Sequence, residues 1–394
     1  MDKAKRFLSR NAMLVVLIAT MLFFEVLISA NDKGSLFSPQ NLTNLIGQNG
    51  YVVILATGML LCILTGGNVD LAVGSIVILV SAMAGVFIVE WGINPYISIV
   101  LCLILGILIG MWQAFWIAYM RVPPFIATLA GMLTFRGLAL IILGSKNIGP
   151  FPESFKSIFN NFLPKSFMTS DNPDVVLTVS VAVAVVLSIL IIFLQISSRM
   201  QKKRKGYVVD SLAATILRPV IVGIVLIFVF WRLGMHNGIP VVLIHIGVIT
   251  LIYTYFTQNV IYGRYLYAMG GNEKAARLSG VNTKRMMFFA YTNMGFLSAV
   301  AALVCVARFN MASTQAGNGY ELDAIAACFI GGASAYGGVG TVRGAVIGAI
   351  FMGVLNMGMS LLGADPNIQR VVKGLVLLAA VVFDIISKNR KQAA

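Results

Sequence analysis

Residues 259–285 read NVIYGRYLYAMGGNEKAARLSGVNTKR, a basic, small-residue-rich segment lodged between two long apolar runs. The spacing of Glu273, Lys274 and Arg277 suits a short helix carrying Ala275, Ala276 and Leu278 and ended by Gly280. Glycine ends helices readily because it enters the left-handed conformation without a Cβ clash. So short a helix has no core of its own, so it must rest on another surface or on lipid. Further along, residues 323–344 read DAIAACFIGGASAYGGVGTVRG, glycine-dense at a place where a membrane helix must stop or break.

The rest of the chain explains why these two stretches stand out. Of 394 residues, 59% are hydrophobic and 11% charged, against about 25% charged in a soluble domain. Mean hydropathy is +0.90. Apolar runs near the ~20 residues that cross a bilayer occur at 12–30, 51–65, 72–89, 95–118, 124–143, 175–196, 219–234, 239–257, 286–307, 322–333, 344–363 and 368–386. The expected fold is an all-α integral membrane protein, a polytopic helical bundle of ten to twelve spans, counted either as twelve crossings or as ten plus two short re-entrant pieces.

A net charge of +15 suggests nucleic acid until the charges are placed. With the N-terminus inside, Lys3, Lys5, Arg6, Arg10, Arg121, Arg199, Lys202, Lys203, Arg204, Lys205, Arg218, Arg264, Lys274, Arg277, Lys284, Arg285, Arg343, Lys388, Arg390 and Lys391 fall on one side. Lys33, Lys146, Lys156, Lys165, Arg232 and Arg308 are left outside. This is the positive-inside pattern with both termini cytoplasmic, so the positive charge is assigned to topology and anionic lipid, and no nucleic-acid partner is expected. The first apolar run follows a basic stretch and is read as an uncleaved helix. Cys62, Cys102, Cys305 and Cys328 lie in apolar runs without a C-x-x-C pair and are expected as buried free thiols.

Three hydrophilic interruptions organise one membrane domain over 1–394. Residues 144–174, with Pro150, Pro152, Pro164 and Pro173 among several Phe, form an extracytoplasmic loop in which a long regular helix is forbidden. That loop either docks a partner or packs over the helix ends. Residues 197–218 form a basic cytoplasmic loop whose Arg199 to Lys205 cluster faces anionic headgroups. Residues 259–285 form the third. There is also an internal echo: LTGGNVDLAVGSIVILVSAMAG (64–85) and FIGGASAYGGVGTVRGAVIGAIFMG (329–353) share a Gly-Gly pair, a polar break and a small-residue helix. Internal repeats place transport sites at their interface.

No Gly-Lys dipeptide occurs, so the chain has no P-loop of its own. H-E-x-x-H and G-x-S-x-G are also absent, and His236 and His245 are isolated. In the break at Gly66 to Asp70, non-helical backbone is tolerated only if buried in protein or lining a watery cavity. Asn68 and Asp70 are therefore candidates for a pathway or gate. Asp70 also reads as an N-cap for the helix that follows or as a contact to a partner subunit. Arg136 lies inside an apolar run, where it needs a partner; Asp70, Glu321 and Asp323 are the available carboxylates. Glycines at Gly106 and Gly110, and at Gly344, Gly348 and Gly353, signal close helix packing, with a dimer seam as one reading.

Four blocks in order then resemble one family. TGGNVDLAVGS (65–75) is similar to a T-x-G-x-D-L-S-V-G-S block, with Asn68 as an extra residue and Ala72 in place of Ser. VPPFIATLAGMLTFRG (122–137) supplies Pro124, Phe125, Thr128, Leu129, Arg136 and Gly137. The segment Gly270 to Gly280 and the run from Glu321 to Ala349 complete the set. Together they resemble the membrane permease subunits of bacterial ATP-driven (ABC) sugar importers of the ribose, xylose and multiple-monosaccharide type. The chain's length and extra basic loop look most like the xylose branch.

The resemblance implies a dimer of permeases, either a homodimer or half of a pseudo-dimer, in the cell inner membrane. Two cytoplasmic ATPase subunits and an extracytoplasmic sugar-binding protein would be its partners, and a monosaccharide its substrate. ATP and magnesium would bind the ATPase, leaving no cofactor or metal in this chain and no catalytic residue. Gly271, Asn272, Glu273, Ala275, Ala276, Leu278, Ser279 and Gly280 would form the coupling element inserted into the ATPase, with Ala276 on the side facing that partner. Asn68, Asp70, Thr128, Arg136, Glu321 and Asp323 would belong to the pathway or gate. Rival readings are a nucleoside or branched-chain amino-acid permease of the same superfamily, an ion-coupled carrier, and a membrane enzyme.

Overall fold

The computed structural model describes residues 12–144, 146–164, 172–207 and 212–392. The described chain is almost entirely helical. In order, the helices are α1 (Ala12–Ala30), α2 (Pro39–Leu64), α3 (Val73–Gly85, continued by a π-helical turn over Val86–Glu90), α4 (Pro95–Ala118), α5 (Pro124–Leu143) and α6 (Glu153–Phe159). Then follow α7 (Pro173–Arg204), α8 (Leu212–Gly234), α9 (Val242–Asn259), α10 (Ile261–Gly271), α11 (Glu273–Leu278), α12 (Thr283–Phe309), α13 (Tyr320–Ile330), α14 (Val342–Leu361) and α15 (Pro366–Gln392). Two short strands, β1 (Phe162–Leu163) and β2 (Ile239–Pro240), pair antiparallel.

The helix ends follow local chemistry. Asn94 accepts the Tyr96 N–H at 2.9 Å, with Pro95 opening α4. Asn282 accepts the Arg285 N–H at 3.0 Å at the start of α12, and Thr341 accepts the Gly344 N–H at 3.0 Å at the start of α14. Each satisfies one of the orphan donors of a first turn. At the other end, α5 stops where Gly144 turns left-handed at φ 54°.

Nine of these helices are long and apolar enough to cross a membrane, or ten when α9 and α10, bent by 69°, count as one broken span. The run expected at 322–333 is α13, only eleven residues long. At 1.5 Å per residue it covers roughly half of a ~30 Å hydrocarbon core, so it is a half-helix. The run expected at 51–65 begins twelve residues earlier, because the polar stretch from Gln40 to Asn49 is also helical.

The described chain divides into two compact units. One comprises residues 34–46 and 161–241, where α7 and α8 form a hairpin. There Gly223 lies against Ser188, whose hydroxyl also donates to the Gly223 carbonyl at 3.4 Å. In the other unit, α12 is the central element: it packs on α3 and α4 and is buried along most of its length. Its seam with α4 is made by glycines. Gly295 faces the carbonyl of Gly106 and the backbone of Gly110 so closely that a Cβ would overlap both. The spacing read as helix packing or a dimer seam therefore closes within the chain. Gly344 and Gly348 likewise pack on α13 and its end, and Gly353 on Asn49.

The proline-rich loop, as far as it is described, holds the seven-residue α6 with Phe151, Phe155 and Phe159 buried. Its aromatic side chains pack inward, and Phe159 stacks on His245 at 5.4 Å. All four cysteines are free and buried, as expected. Lys3, Lys5, Arg6 and Arg10, and residues 208–211 of the basic loop, lie outside the described residues.

The α4–α12 seam yields a stability test. Gly295→Ala forces backbone apart and should cost about 1–3 kcal/mol, read as a lower unfolding midpoint in detergent. Gly137→Ala, where nothing lies within 4 Å, should leave the midpoint unchanged or slightly raised.

Candidate functional site

Both glycine-rich breaks lie in the same place. The first, between α2 and α3, carries Gly66 at φ 132° and Gly67 at φ 76°; the second, between α13 and α14, carries Gly337 at φ 82°, Gly338 at φ 68° and Gly340 at φ 153°. Gly67 sits on the carbonyl of Ala335, and Gly337 on the backbone of Gly66 and Gly67. The Gly338 N–H donates to the Leu64 carbonyl at 3.2 Å. A third strand of backbone completes the crossing: Gly270, in α10, lies against the Leu64 carbonyl and the Gly338 nitrogen. A Cβ on Gly67, Gly270, Gly337 or Gly338 would intrude on neighbouring backbone. The positive φ values of Gly67, Gly337 and Gly338 would cost any other residue about 1–2 kcal/mol more.

Side chains lock the crossing to its surroundings. The Tyr267 hydroxyl on α10 donates to the Gly340 carbonyl at 2.9 Å. Asp384 on α15 accepts the Ala335 N–H at 3.3 Å. The echo between residues 64–85 and 329–353 thus becomes a physical junction, and the bent pair α9–α10 reaches it.

Above the first break, Asp70 is fully buried. Its Oδ1 accepts the Ala72 N–H at 2.9 Å and the Gln113 side-chain amide at 3.5 Å, and its own N–H donates to Met59 Sδ at 3.4 Å. The helix begins only at Val73, with Ala72 in the N-cap position. Asp70 therefore closes a turn just before α3 rather than capping it directly. Asn68 is half-buried and donates to Thr65 Oγ1 at 3.1 Å.

Arg136 has no ion pair with Asp70, Glu321 or Asp323 within 4 Å. Its guanidinium donates to the carbonyl of Gly317 at 3.1 Å. Gly317 in turn packs on Gly74 at the start of α3, beside the carboxylate of Glu321. Arg136 and Glu321 thus meet at the Gly317–Gly74 contact in one polar cluster without an ion pair between them. Thr128 is buried and gives its hydroxyl back to the Pro124 carbonyl at 2.9 Å, within its own helix.

Asp323 has a different partner from those foreseen. Lys373 on α15 pairs with it at 2.9 Å, with side-chain exposures of 22% for the lysine and 2% for the aspartate. Tyr51 donates to the same carboxylate at 3.1 Å and stacks on Tyr320 with ring centroids 3.9 Å apart. Lys373 and Gln113 escaped the reading of the sequence, although each is a polar group within a predominantly apolar run. Stripped of Lys373, Asp323 would be a buried unpaired charge, at a cost on the order of 3 kcal/mol.

The short helix foreseen in the basic segment is α11, Glu273–Leu278. Asn272 caps it by accepting the Ala275 N–H at 3.0 Å, and Gly280 turns left-handed at φ 87° just beyond it. Its two alanines differ in exposure. Ala276 is buried within the chain, whereas Ala275 is exposed and Leu278 is 90% exposed. Gly271, Glu273 and Ser279 are also exposed.

No group of three or more His, Cys, Asp or Glu among the described residues can hold a metal ion. The geometry is one of close backbone crossings and an exposed short helix.

Comparison with known proteins supplies the family. The model for branched-chain amino acid transport system / permease component matches residues 41–381. The chain is 35% identical to the xylose transport system permease protein XylH of Escherichia coli (strain K12) over 378 residues, covering 96% of this chain and 92% of that protein. The match to XylH of Haemophilus influenzae is also 35%, covering 96% of each. The ribose import permease protein RbsC of Escherichia coli (strain K12) is 32% identical over 90% of this chain and 88% of its own length. No solved structure matches at a significant level. With its breaks, half-helix and exposed short helix spread along the matched length, the chain belongs to the family of membrane permease components of branched-chain amino acid-type transport systems.

Proposed function

We propose that the chain is the translocating permease subunit of an ATP-driven, binding-protein-dependent importer of a monosaccharide, xylose or a related pentose or hexose, in the cell inner membrane. The observation that carries this is the end-to-end similarity to xylose transport permeases. The family model is described by branched-chain amino acids, but the similar proteins quoted above transport xylose and ribose, which favours a sugar. Hydrolysis belongs to a separate cytoplasmic ATPase, and this chain is not itself an enzyme. It works as one membrane domain over 1–394, as a homodimer, with both termini cytoplasmic and a sugar-binding protein delivering substrate from outside.

In this reading Gly271 to Gly280 is the coupling element, and Leu278, Ala275 and Ser279 form its docking face. Ala276 holds α11 to its own protein and does not face the partner. Movement of α10 and α11 passes through the glycine crossing to both breaks, a rigid-body transmission between packed elements. Asn68, Asp70, Thr128, Arg136, Glu321 and Asp323 belong to the pathway or gate. Asp70 and Thr128 serve it by fixing helix ends rather than by touching sugar.

Purified permease should hydrolyse no ATP alone. With its cognate ATPase it should support vanadate-sensitive hydrolysis, stimulated by the binding protein, and ATP-dependent sugar uptake into vesicles. Uptake driven by a proton or sodium gradient without ATP contradicts the reading. Leu278→Asp, at a fully accessible position, should leave the permease folded and abolish co-purification of the ATPase. Lys203→Ala with Arg204→Ala should alter expression or orientation and leave coupling intact. Wild-type transport by Leu278→Asp makes the segment an ordinary connector.

A further inference from the structure

A cavity of about 440 Å³ lies between α11, the ends of α4 and the loop leading into α5, with Asn68 in its wall. Four cations line it, Arg121, Lys274, Arg277 and Lys284, against the single carboxylate of Glu273. None of the four has an ion pair among the described residues. Arg121 is held at φ 58°, a left-handed conformation that a non-glycine residue seldom adopts. The first turn of α12 adds to the imbalance: it carries Lys284 and Arg285 and no acidic residue. Cations at the positive end of a helix are unfavourable, and an anion in the cavity offsets that repulsion.

The other half of the wall is apolar, formed by Ile117, Ala118, Val122, Pro123, Pro124 and Met287. From its edge an aromatic ladder leads away: Phe288 meets Tyr119 at 5.6 Å between ring centroids, and Tyr119 is followed by Phe115 at 6.1 Å and Trp116 a further 5.5 Å on. Phe115, Trp116, Tyr119, Met120, Phe125 and Ile126 are exposed. Exposed aromatics at the end of a span mark the headgroup level of a bilayer, and the charge pattern assigns this level to the cytoplasmic leaflet. Leu278, the most exposed side chain of α11, does not line the cavity.

We propose that this cavity is a binding site for an anionic phospholipid, its headgroup phosphate held by Arg121, Lys274, Arg277 and Lys284 and its acyl chains laid along the Phe288–Tyr119–Phe115 ladder. A free phosphate uses only the charged half of the wall, and a carboxylate from a protein partner has no use for the ladder. The site stands independently of whether α11 couples to an ATPase. Being shared by α11 and the α4–α5 turn, it makes the position of α11 sensitive to the lipid composition of the membrane.

Trp116 reports on the site. In full-length permease with Trp91, Trp112 and Trp231 replaced by Phe, dibrominated phosphatidylglycerol in phosphatidylcholine vesicles should quench Trp116 at a mole fraction roughly tenfold lower than dibrominated phosphatidylcholine. Arg121→Gln with Arg277→Gln should bring the two lipids to within about twofold of each other. Lys274→Gln with Lys284→Gln should do the same, so loss of folding in one pair leaves the other as the test. Lys146→Gln, at an exposed cation that does not line the cavity, should keep the preference. Equal quenching by both lipids in the starting protein overturns the proposal, as does a preference that survives both pairs. So does its loss on adding millimolar inorganic phosphate, which makes this a free-anion site, or its loss on adding the cognate ATPase, which makes it a protein contact.

Discussion

Three lengths of backbone meet at Leu64–Gly67, Ala335–Gly340 and Tyr267–Gly271, and at their contacts there is no room for a side chain. Much else in the larger unit follows from that constraint. Two membrane helices, α2 and α13, end there, because the glycines that follow take positive φ values that a right-handed helix does not allow, and α3 and α14 start again beyond it. The groups freed from helical bonding need partners, because a buried backbone group left unpaired costs about 1–3 kcal/mol. They find them in each other, as Gly338 does in Leu64, and in Tyr267 and Asp384. The junction also sets the position of α10, and therefore of the exposed α11 one residue beyond it.

Polar side chains in the membrane part are placed to support these irregular segments. Asp70 and Gln113 hold the turn before α3, Arg136 holds the Gly317 carbonyl beside Gly74, and Lys373 with Tyr51 holds Asp323 near the start of α13. Each tie joins a helix to the entrance of a half-helix or to a break. That distribution fits the transport of a neutral sugar, which needs no fixed counter-charge along its path, and leaves the few charged groups to shape the protein.

What could be read from the sequence was local. Gly66-Gly67 and the glycine run from Gly331 to Gly344 announce breaks because glycine tolerates positive φ, and the segment around Glu273 to Gly280 announces a short capped helix. The lack of a side chain, rather than φ, marks Gly106 and Gly110 as a close-packing face. What could not be read was which partner each face meets, since the pairings of Gly67 with Ala335, Gly106 with Gly295 and Asp323 with Lys373 join distant parts of the chain. Arg136 illustrates the limit: a half-buried guanidinium requires acceptors, and a carbonyl serves as well as a carboxylate, so the acidic residues alone did not point to Gly317. Ala275 and Ala276 illustrate another, for adjacent alanines on a helix lie about 100° apart, and only the packing tells which one faces inward.

If the crossing carries motion from α10 and α11 to the breaks, the number of sugars imported per ATP hydrolysed depends on it, and a transporter reconstituted with Gly270→Ala in the permease measures that dependence. The added methyl intrudes on the Leu64 carbonyl and the Gly338 backbone while leaving the exposed face of α11 untouched. The account predicts that the ATPase still binds and hydrolyses ATP while the ratio of sugar to ATP falls by about tenfold or more, as expected when 1–3 kcal/mol of overpacking strains a switching junction. An unchanged ratio in a folded, fully assembled transporter contradicts it.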